Sequence, residues 1–124
     1  MKKIISLILV LALVLSFSAC GKAKTAEIKI SDLEGKVVYD FEVEPKDGVS
    51  AGELLENYLK ENGIPYEKYD VDMIQSIGDL EQETENWSVY FEIDINGEYA
   101  TKGLWNFELA PGDLLEIKLV EANW

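Results

Sequence analysis

Residues 87–97 read WSVYFEIDING, and this stretch decides the fold. From Trp87 to Ile95 apolar residues alternate with mostly polar ones, a period of two that is typical of a strand with one buried face. Asn96 and Gly97 follow, and this pair favours a type I′ turn because both central residues of such a turn need a positive φ. The stretch therefore predicts a hairpin, with the apolar face of its first strand, Trp87 included, in the core.

The same alternation predicts strands on both sides of this hairpin. Upstream, residues 26–30 and 37–43 flank a group of turn formers and are expected to pair in an antiparallel manner. Downstream, alternating apolar residues predict a last strand at residues 114–120, after a turn at residues 110–113. Strands are thus expected near both ends of the domain.

A short amphipathic helix is predicted to begin after Ser50 and to end before Gly63. Ser50 and Glu53 fit the capping box, in which each side chain bonds the backbone N–H of the other residue. Three leucines and a tyrosine then fall on one helical face, and Gly63 can take the left-handed conformation that ends a helix. The apolar stripe needs a partner, so the helix is expected to pack on one face of the sheet.

The region between the helix and the hairpin has weaker patterns. Residues 64–70, IPYEKYD, are interpreted as a connection, residues 71–77 as a strand, and the acidic residues 78–86 as an exposed loop. The order of elements predicts an α+β, β-grasp-like domain over residues 26–124. Its sheet is expected to be mostly antiparallel, with about five to six strands packed on one helix.

The first twenty residues, MKKIISLILVLALVLSFSAC, are typical of an export leader, with two lysines, an apolar run and small residues before Cys20. Their end resembles the lipobox of bacterial lipoproteins, although Phe17 stands where that family usually has an aliphatic residue. The resemblance implies a signal peptide at residues 1–19, a lipid on Cys20, a tether at residues 20–25 and a place on the extracytoplasmic face of the cell membrane. The alternative is an ordinary secretory leader that leaves a free thiol.

Composition excludes several kinds of chemistry. The chain has 124 residues, one cysteine and no histidine, which excludes a Ser-His-Asp triad, histidine metal ligands and a disulfide within the chain. Its formal net charge of −13 opposes binding to nucleic acid. Carboxylate pairs could serve a glycosidase, but no spacing singles out one pair, and the acidic runs lack the EF-hand spacing. We therefore expect no enzyme, no metal site and no cofactor.

An ordered set of motifs resembles the transcobalamin C-terminal-like domain family. The motifs are Ile74-Gln-Ser-Ile-Gly78, Trp87, Asn96-Gly97, Gly103 and Leu109-Ala-Pro-Gly-Asp113. The resemblance spans about residues 26–120 and implies a β-grasp-like, non-enzymatic domain that binds a small molecule, with a corrinoid such as cobalamin as the named candidate. The chain departs from the family at Ser88 and at Ile117 and Leu119, where the family has aromatic residues.

Aromatic residues outside the clean core pattern are candidates for a ligand face, because flat rings stack on planar ligands or sugars. They are Tyr69, Tyr90, Tyr99 and Trp105. The other interpretation is that these rings pack in or beside the core. The alternative function is a protein- or glycan-interaction module of the cell envelope, which an unpaired sheet edge or an exposed apolar patch would favour.

Overall fold

The structure, a computed structural model, describes residues 24–122. The predicted signal peptide, the lipid site at Cys20 and the start of the tether lie outside the described residues. Within the described range, no helix is both long and apolar enough to cross a membrane. The elements of this range are β1 (Ala26–Ser31), β2 (Val37–Val43), α1 (Ala51–Glu61), β3 (Tyr66–Asp70), β4 (Met73–Ile77), β5 (Leu80–Glu81), β6 (Val89–Ile95), β7 (Glu98–Tyr99), a 3-10 turn (Leu104–Asn106) and β8 (Leu114–Glu121).

The main layer is a five-stranded sheet in the order β2-β1-β8-β6-β7. Its neighbours are antiparallel except β1 and β8, which are parallel and pair Ile28 with Leu115 and Ile30 with Ile117. These four side chains are fully buried, because every second residue of both strands is apolar and faces the core. The predicted α+β class and the mostly antiparallel pairing are confirmed.

Helix α1 begins and ends as the sequence predicts. The Ser50 hydroxyl accepts a hydrogen bond from the Glu53 backbone N–H at 3.1 Å, and Glu53 Oε1 accepts one from the Ser50 N–H at 3.0 Å. Gly63 has a φ of 67° at the end of the helix, where a residue without a side chain is favoured. The leucine stripe is buried, and the ring of Tyr58 stacks on Phe41 of β2 at 3.5 Å, so the helix covers the inner face of the sheet.

The region between α1 and β6 differs from the prediction, because it forms a second sheet of three strands in the order β3-β4-β5. The segment interpreted as a connection contains strand β3, and the segment interpreted as an exposed loop contains β5 and the buried Gln82. Strand β3 is mostly exposed on both faces. Its pairing with β4 defines it rather than burial, so no alternation of apolar residues marks it in the sequence.

The hairpin after β6 pairs a strand with only part of the sheet edge. Asn96 and Gly97 have φ values of 53° and 85°, which confirms the predicted type I′ turn. Strand β7 is only two residues long and pairs with Asp94 and Ile95, since the chain then departs toward the 3-10 turn. Other groups meet the rest of this edge, because the Ala100 N–H donates to the Ile93 carbonyl at 2.8 Å, the Phe91 N–H donates to Gln82 Oε1, and Glu83 forms a bridge with Val89.

Candidate ligand-binding site

A cavity of about 330 Å³ lies beside β6. Its walls come from both sheets and from the 3-10 turn, and most of them are apolar or aromatic side chains. Small-molecule pockets of about 300–1,000 Å³ have this kind of lining with a few polar groups. The lining residues are Asp72, Met73, Ile74, Gln82, Trp87, Tyr90, Phe91, Ile93, Tyr99, Gly103 and Leu104.

Trp87 lines this cavity and does not begin the strand. Its φ is 58°, a left-handed value that is rare for a bulky residue. The turn around it is held by the Asn86 N–H, which donates to Glu83 Oε1, and by the Ser88 N–H, which donates to Asn86 Oδ1, both at 3.0 Å. The prediction that Trp87 lies in the core is therefore wrong, because this turn breaks the alternation before β6 starts. Strained residues of this kind are often found at functional sites.

Three of the four aromatic candidates lie at the cavity. Tyr90 and Tyr99 line it, and Tyr99 is 66% exposed. The ring of Tyr69 meets Trp87 edge-on, with ring centroids 5.2 Å apart, and is therefore placed at the rim. Met73 and Val71 at the neighbouring turn are also exposed, so the rim of the opening carries apolar side chains.

Trp105 lies outside this cavity. Its ring packs so closely on α1 that a Cβ added at Gly52 would overlap it. Its indole N–H donates to Glu56 at 2.9 Å, and Lys68 Nζ lies 4.2 Å from the ring centroid. The interpretation of Trp105 as an exposed residue of the ligand face does not agree with this half-buried position, which fits the packing alternative.

Gln82 is a cavity residue that the sequence analysis missed. It is 5% exposed, and its Oε1 accepts the backbone N–H of Phe91 in β6 at 2.9 Å. Among the described residues, its Nε2 has no hydrogen-bond partner. A signal was present, because Leu80 and Gln82 alternate with Glu81 and Glu83 and so share a face.

Residues 48–121 match a family model described as a domain of unknown function, DUF4430. The chain belongs to the DUF4430 family. Among curated proteins, none matches it. The matched range begins just before α1 and contains every lining residue of the cavity.

Solved structures share the fold of this DUF4430 chain. One is the crystal structure of a protein from Ruminococcus gnavus that is described as a candidate metal-binding protein, with 20% identity and a TM-score of 0.62, covering 81% of this chain and 99% of that one. Another is haptocorrin in complex with Cbi, with 18% identity and a TM-score of 0.62, covering 83% of this chain but 27% of haptocorrin. At such low identities the likeness shows the fold alone.

Within residues 24–122, no three Asp or Glu side chains lie together in an arrangement that could hold a metal ion. In the cavity wall, Asp72 Oδ2 accepts a hydrogen bond from Asn106 Nδ2 at 3.0 Å. Asp72 therefore helps to hold the 3-10 turn against the turn before β4.

The DUF4430 chain also carries charged groups on the face of β6 opposite Phe91. Lys118 Nζ lies 2.8 Å from Asp94 Oδ2, and this bond raises the pKa of Lys118. Burial, and next the charge of Asp94, raise the pKa of Glu92. This arrangement disfavours the ionised form of Glu92.

Proposed function

We propose that this chain is a non-catalytic binding module for a small, flat and largely apolar ligand, held at the extracytoplasmic face of the cell membrane by a lipid on Cys20. The observation that carries the binding proposal is the cavity beside β6 with its aromatic rim. Trp87 and Tyr99 line the cavity, and Tyr99 is 66% exposed; aromatic rings bury a large area against planar ligands.

A corrinoid is the first candidate ligand. The proposal is supported by the fold shared with haptocorrin, whose structure contains Cbi, and by the sequence resemblance to transcobalamin C-terminal-like domains. A cavity of about 330 Å³ is at the small end of ligand pockets. The cavity would therefore hold one edge of a corrinoid, while the exposed residues at its rim cover one face of the corrin ring.

Titration with cobinamide and cobalamin tests this proposal. The chain without its leader (residues 21–124) is titrated by calorimetry and by tryptophan fluorescence. Saturable binding of one corrinoid per chain is expected. If both methods stay silent at high micromolar concentrations of both corrinoids, the corrinoid proposal is wrong.

Two variants locate the binding. Trp87→Ala is expected to weaken cobinamide binding by about tenfold, because the contact of one aromatic ring contributes roughly 0.5–1.5 kcal/mol beyond its buried area. Val38→Ala is the control and should change the affinity by less than about twofold, because Val38 is exposed on β2 and does not line the cavity. Equal effects of both variants would contradict binding at this cavity.

Exposed apolar side chains beside the cavity favour a second candidate function, a protein-interaction module of the cell envelope. Val71 is 77% exposed, and Tyr69 and Met73 near it in the sequence are exposed as well. A group of exposed apolar residues is typical of a partner-binding surface. A photo-crosslinking residue at position 71 tests it in intact cells. A cross-linked protein of one defined mass, displaced by no corrinoid, would favour this function over the first.

The lipid anchor is tested at Cys20. Cys20→Ser should abolish incorporation of radiolabelled palmitate and release the chain from the membrane fraction, because the sulfur carries the lipid in bacterial lipoproteins. Two acyl chains are needed for firm anchoring. Processed Cys20→Ser protein that stays in the membrane fraction would count against the anchor.

A further inference from the structure

Gln82 is the most deeply buried polar side chain in the wall of the cavity. Its amide orientation is fixed, because only the oxygen can accept the Phe91 N–H that approaches at 2.9 Å. Its backbone is held as well. The Gln82 N–H donates to the Gln75 carbonyl, and the Gln82 carbonyl accepts from Gln75 Nε2, both at 3.0 Å. The amide therefore keeps its Nε2 on the side away from Phe91.

The Nε2 group of Gln82 is a buried donor without a protein acceptor in the described structure. Buried polar groups are nearly always hydrogen-bonded in folded proteins, since losing water without gaining a partner is costly. A donor of this kind in the wall of a cavity is suited to an acceptor atom of a ligand. The other unpartnered amide atom is Gln75 Oε1, and Gln75 does not line the cavity.

The surroundings decide which acceptor fits. The neighbouring walls are apolar, with Ile74, Phe91 and Leu104, and the one carboxylate of the lining is Asp72. The whole chain has a net charge of −13. A ligand carboxylate or phosphate would be repelled and would lose its water in this place, whereas a neutral carbonyl oxygen avoids both penalties.

We infer that the cavity selects ligands that place a neutral carbonyl oxygen, such as that of a carboxamide, on Gln82 Nε2 and discriminates against the corresponding carboxylates. This inference rests on the proposed function, because it assumes that a small ligand enters the cavity. It does not depend on the ligand being a corrinoid. Gln82 is then the residue that determines specificity for the polar end of the ligand, and the aromatic rim holds the apolar part.

Benzamide and benzoate test the inference, because they share one flat ring and differ in the acceptor. The side-chain NH₂ signals of Gln82 are followed by NMR in the ¹⁵N-labelled chain and are assigned by their loss in Gln82→Glu. Benzamide is expected to move these signals saturably and to bind at least about tenfold more tightly than benzoate, as expected when a buried donor would otherwise stay unpaired. Equal binding of the two probes would overturn the inference.

Gln82→Glu removes the donor and keeps an oxygen for the Phe91 N–H, so it should abolish the preference for benzamide. Asn57→Asp is the matched control, because it makes the same amide-to-acid change at an exposed position of α1 that does not line the cavity. It should retain the preference.

Other outcomes separate this inference from the proposed function. If cobinamide shifts Trp87 but neither it nor benzamide moves the Gln82 NH₂ signals, the ligand site stands and the inference is wrong. A hydrogen bond from Gln82 Nε2 to Gln75 Oε1 would also leave the Gln82 NH₂ signals unchanged when a probe is added, and it would overturn the inference in the same way. If no probe shifts any residue of the cavity, both proposals fail.

Discussion

At the scale of single residues, the contact between Gly52 and Trp105 connects the helix to the cavity. Trp105 belongs to the 3-10 turn that carries Gly103 and Leu104 into the cavity wall. Its indole N–H donates to Glu56, and the same carboxylate accepts the Tyr66 hydroxyl at 2.7 Å. Only glycine fits at position 52, because a Cβ added there would overlap the indole ring. The packing of Trp105 therefore positions one wall of the proposed site without touching a ligand.

Gly52→Ala is expected to destabilise the domain by about 1–3 kcal/mol, because the added methyl group overpacks against the indole ring. This is opposite in sign to the usual helix preference for alanine over glycine of about 1 kcal/mol. Urea unfolding measures the change. Asn57→Ala, at an exposed position of the same helix, is the control and should be neutral or stabilising. A stabilised Gly52→Ala chain would contradict the packing described for Trp105.

Single residues also show where the sequence stops being informative. The capping box at Ser50 and the turn at Asn96 were predictable because local spacing decides them. Trp87 was misplaced because one left-handed residue interrupts the alternation. Gln82 could not be assigned to the cavity, since its environment comes from β6 and β4, which only the tertiary fold brings together.

At the scale of elements, helix α1 depends on its first turn. Hydrogen bonds from the Ser50 backbone and from its hydroxyl lower the pKa of Glu53, which shows that the box favours the ionised carboxylate. Ser50→Ala should therefore destabilise the domain by about 1 kcal/mol. A fall in Tm of roughly 4–8 °C is expected for a domain of this size.

Thermal unfolding followed by circular dichroism measures this fall. Thr101→Ala, at an exposed loop position, is the control and should stay within about 0.5 kcal/mol of the original chain. An unchanged Tm in Ser50→Ala would mean that tertiary packing, and not the cap, fixes the start of the helix.

The strands differ in how far the sequence predicts them. Strands β1, β2, β6 and β8 of the main sheet were found because each has one face toward the core, and β8 is the clearest case, with Leu115, Ile117 and Leu119 buried. Strand β3, YEKYD, gave no signal because it is mostly exposed and is defined by its pairing with β4. The division of the strands into two sheets depends on such pairings, which periodicity does not encode.

At the scale of the whole molecule, acidic charge acts against the folded state near neutral pH. A side-chain hydrogen bond to Asp40, together with burial, raises the pKa of Glu27, and burial raises that of Glu92. A carboxyl group whose pKa is raised on folding destabilises the protein at neutral pH, and this loss is recovered as the pH falls toward the folded pKa. The pKa of Glu53 is instead lowered on folding, so ionised Glu53 stabilises the folded state at neutral pH. This stabilisation is lost below the ordinary pKa of 4.5, as the pH falls through the folded pKa.

We therefore expect the Tm to rise as the pH falls from 7 toward the carboxyl range and to drop again at lower pH. Glu92→Gln should raise the Tm at pH 7 and reduce the gain on acidification, because it removes the ionised form next to Asp94. Thermal unfolding at low salt measures both, since salt screens such repulsion. Glu81→Gln, at an exposed position, is the control. A lower Tm of Glu92→Gln at pH 7 would contradict this account.

The parallel pair of β1 and β8 has a consequence for the order of events in the cell. The strand that opens the domain lies in the sheet between β2 and the strand that closes it. During synthesis β1 can pair with β2, but its other edge stays open until almost the whole chain has been made. Contacts so distant in the sequence form slowly, because a long loop must close first. The chain therefore cannot complete its fold before β8 has been made. Such a delay suits a precursor whose leader predicts that it crosses a membrane before it folds.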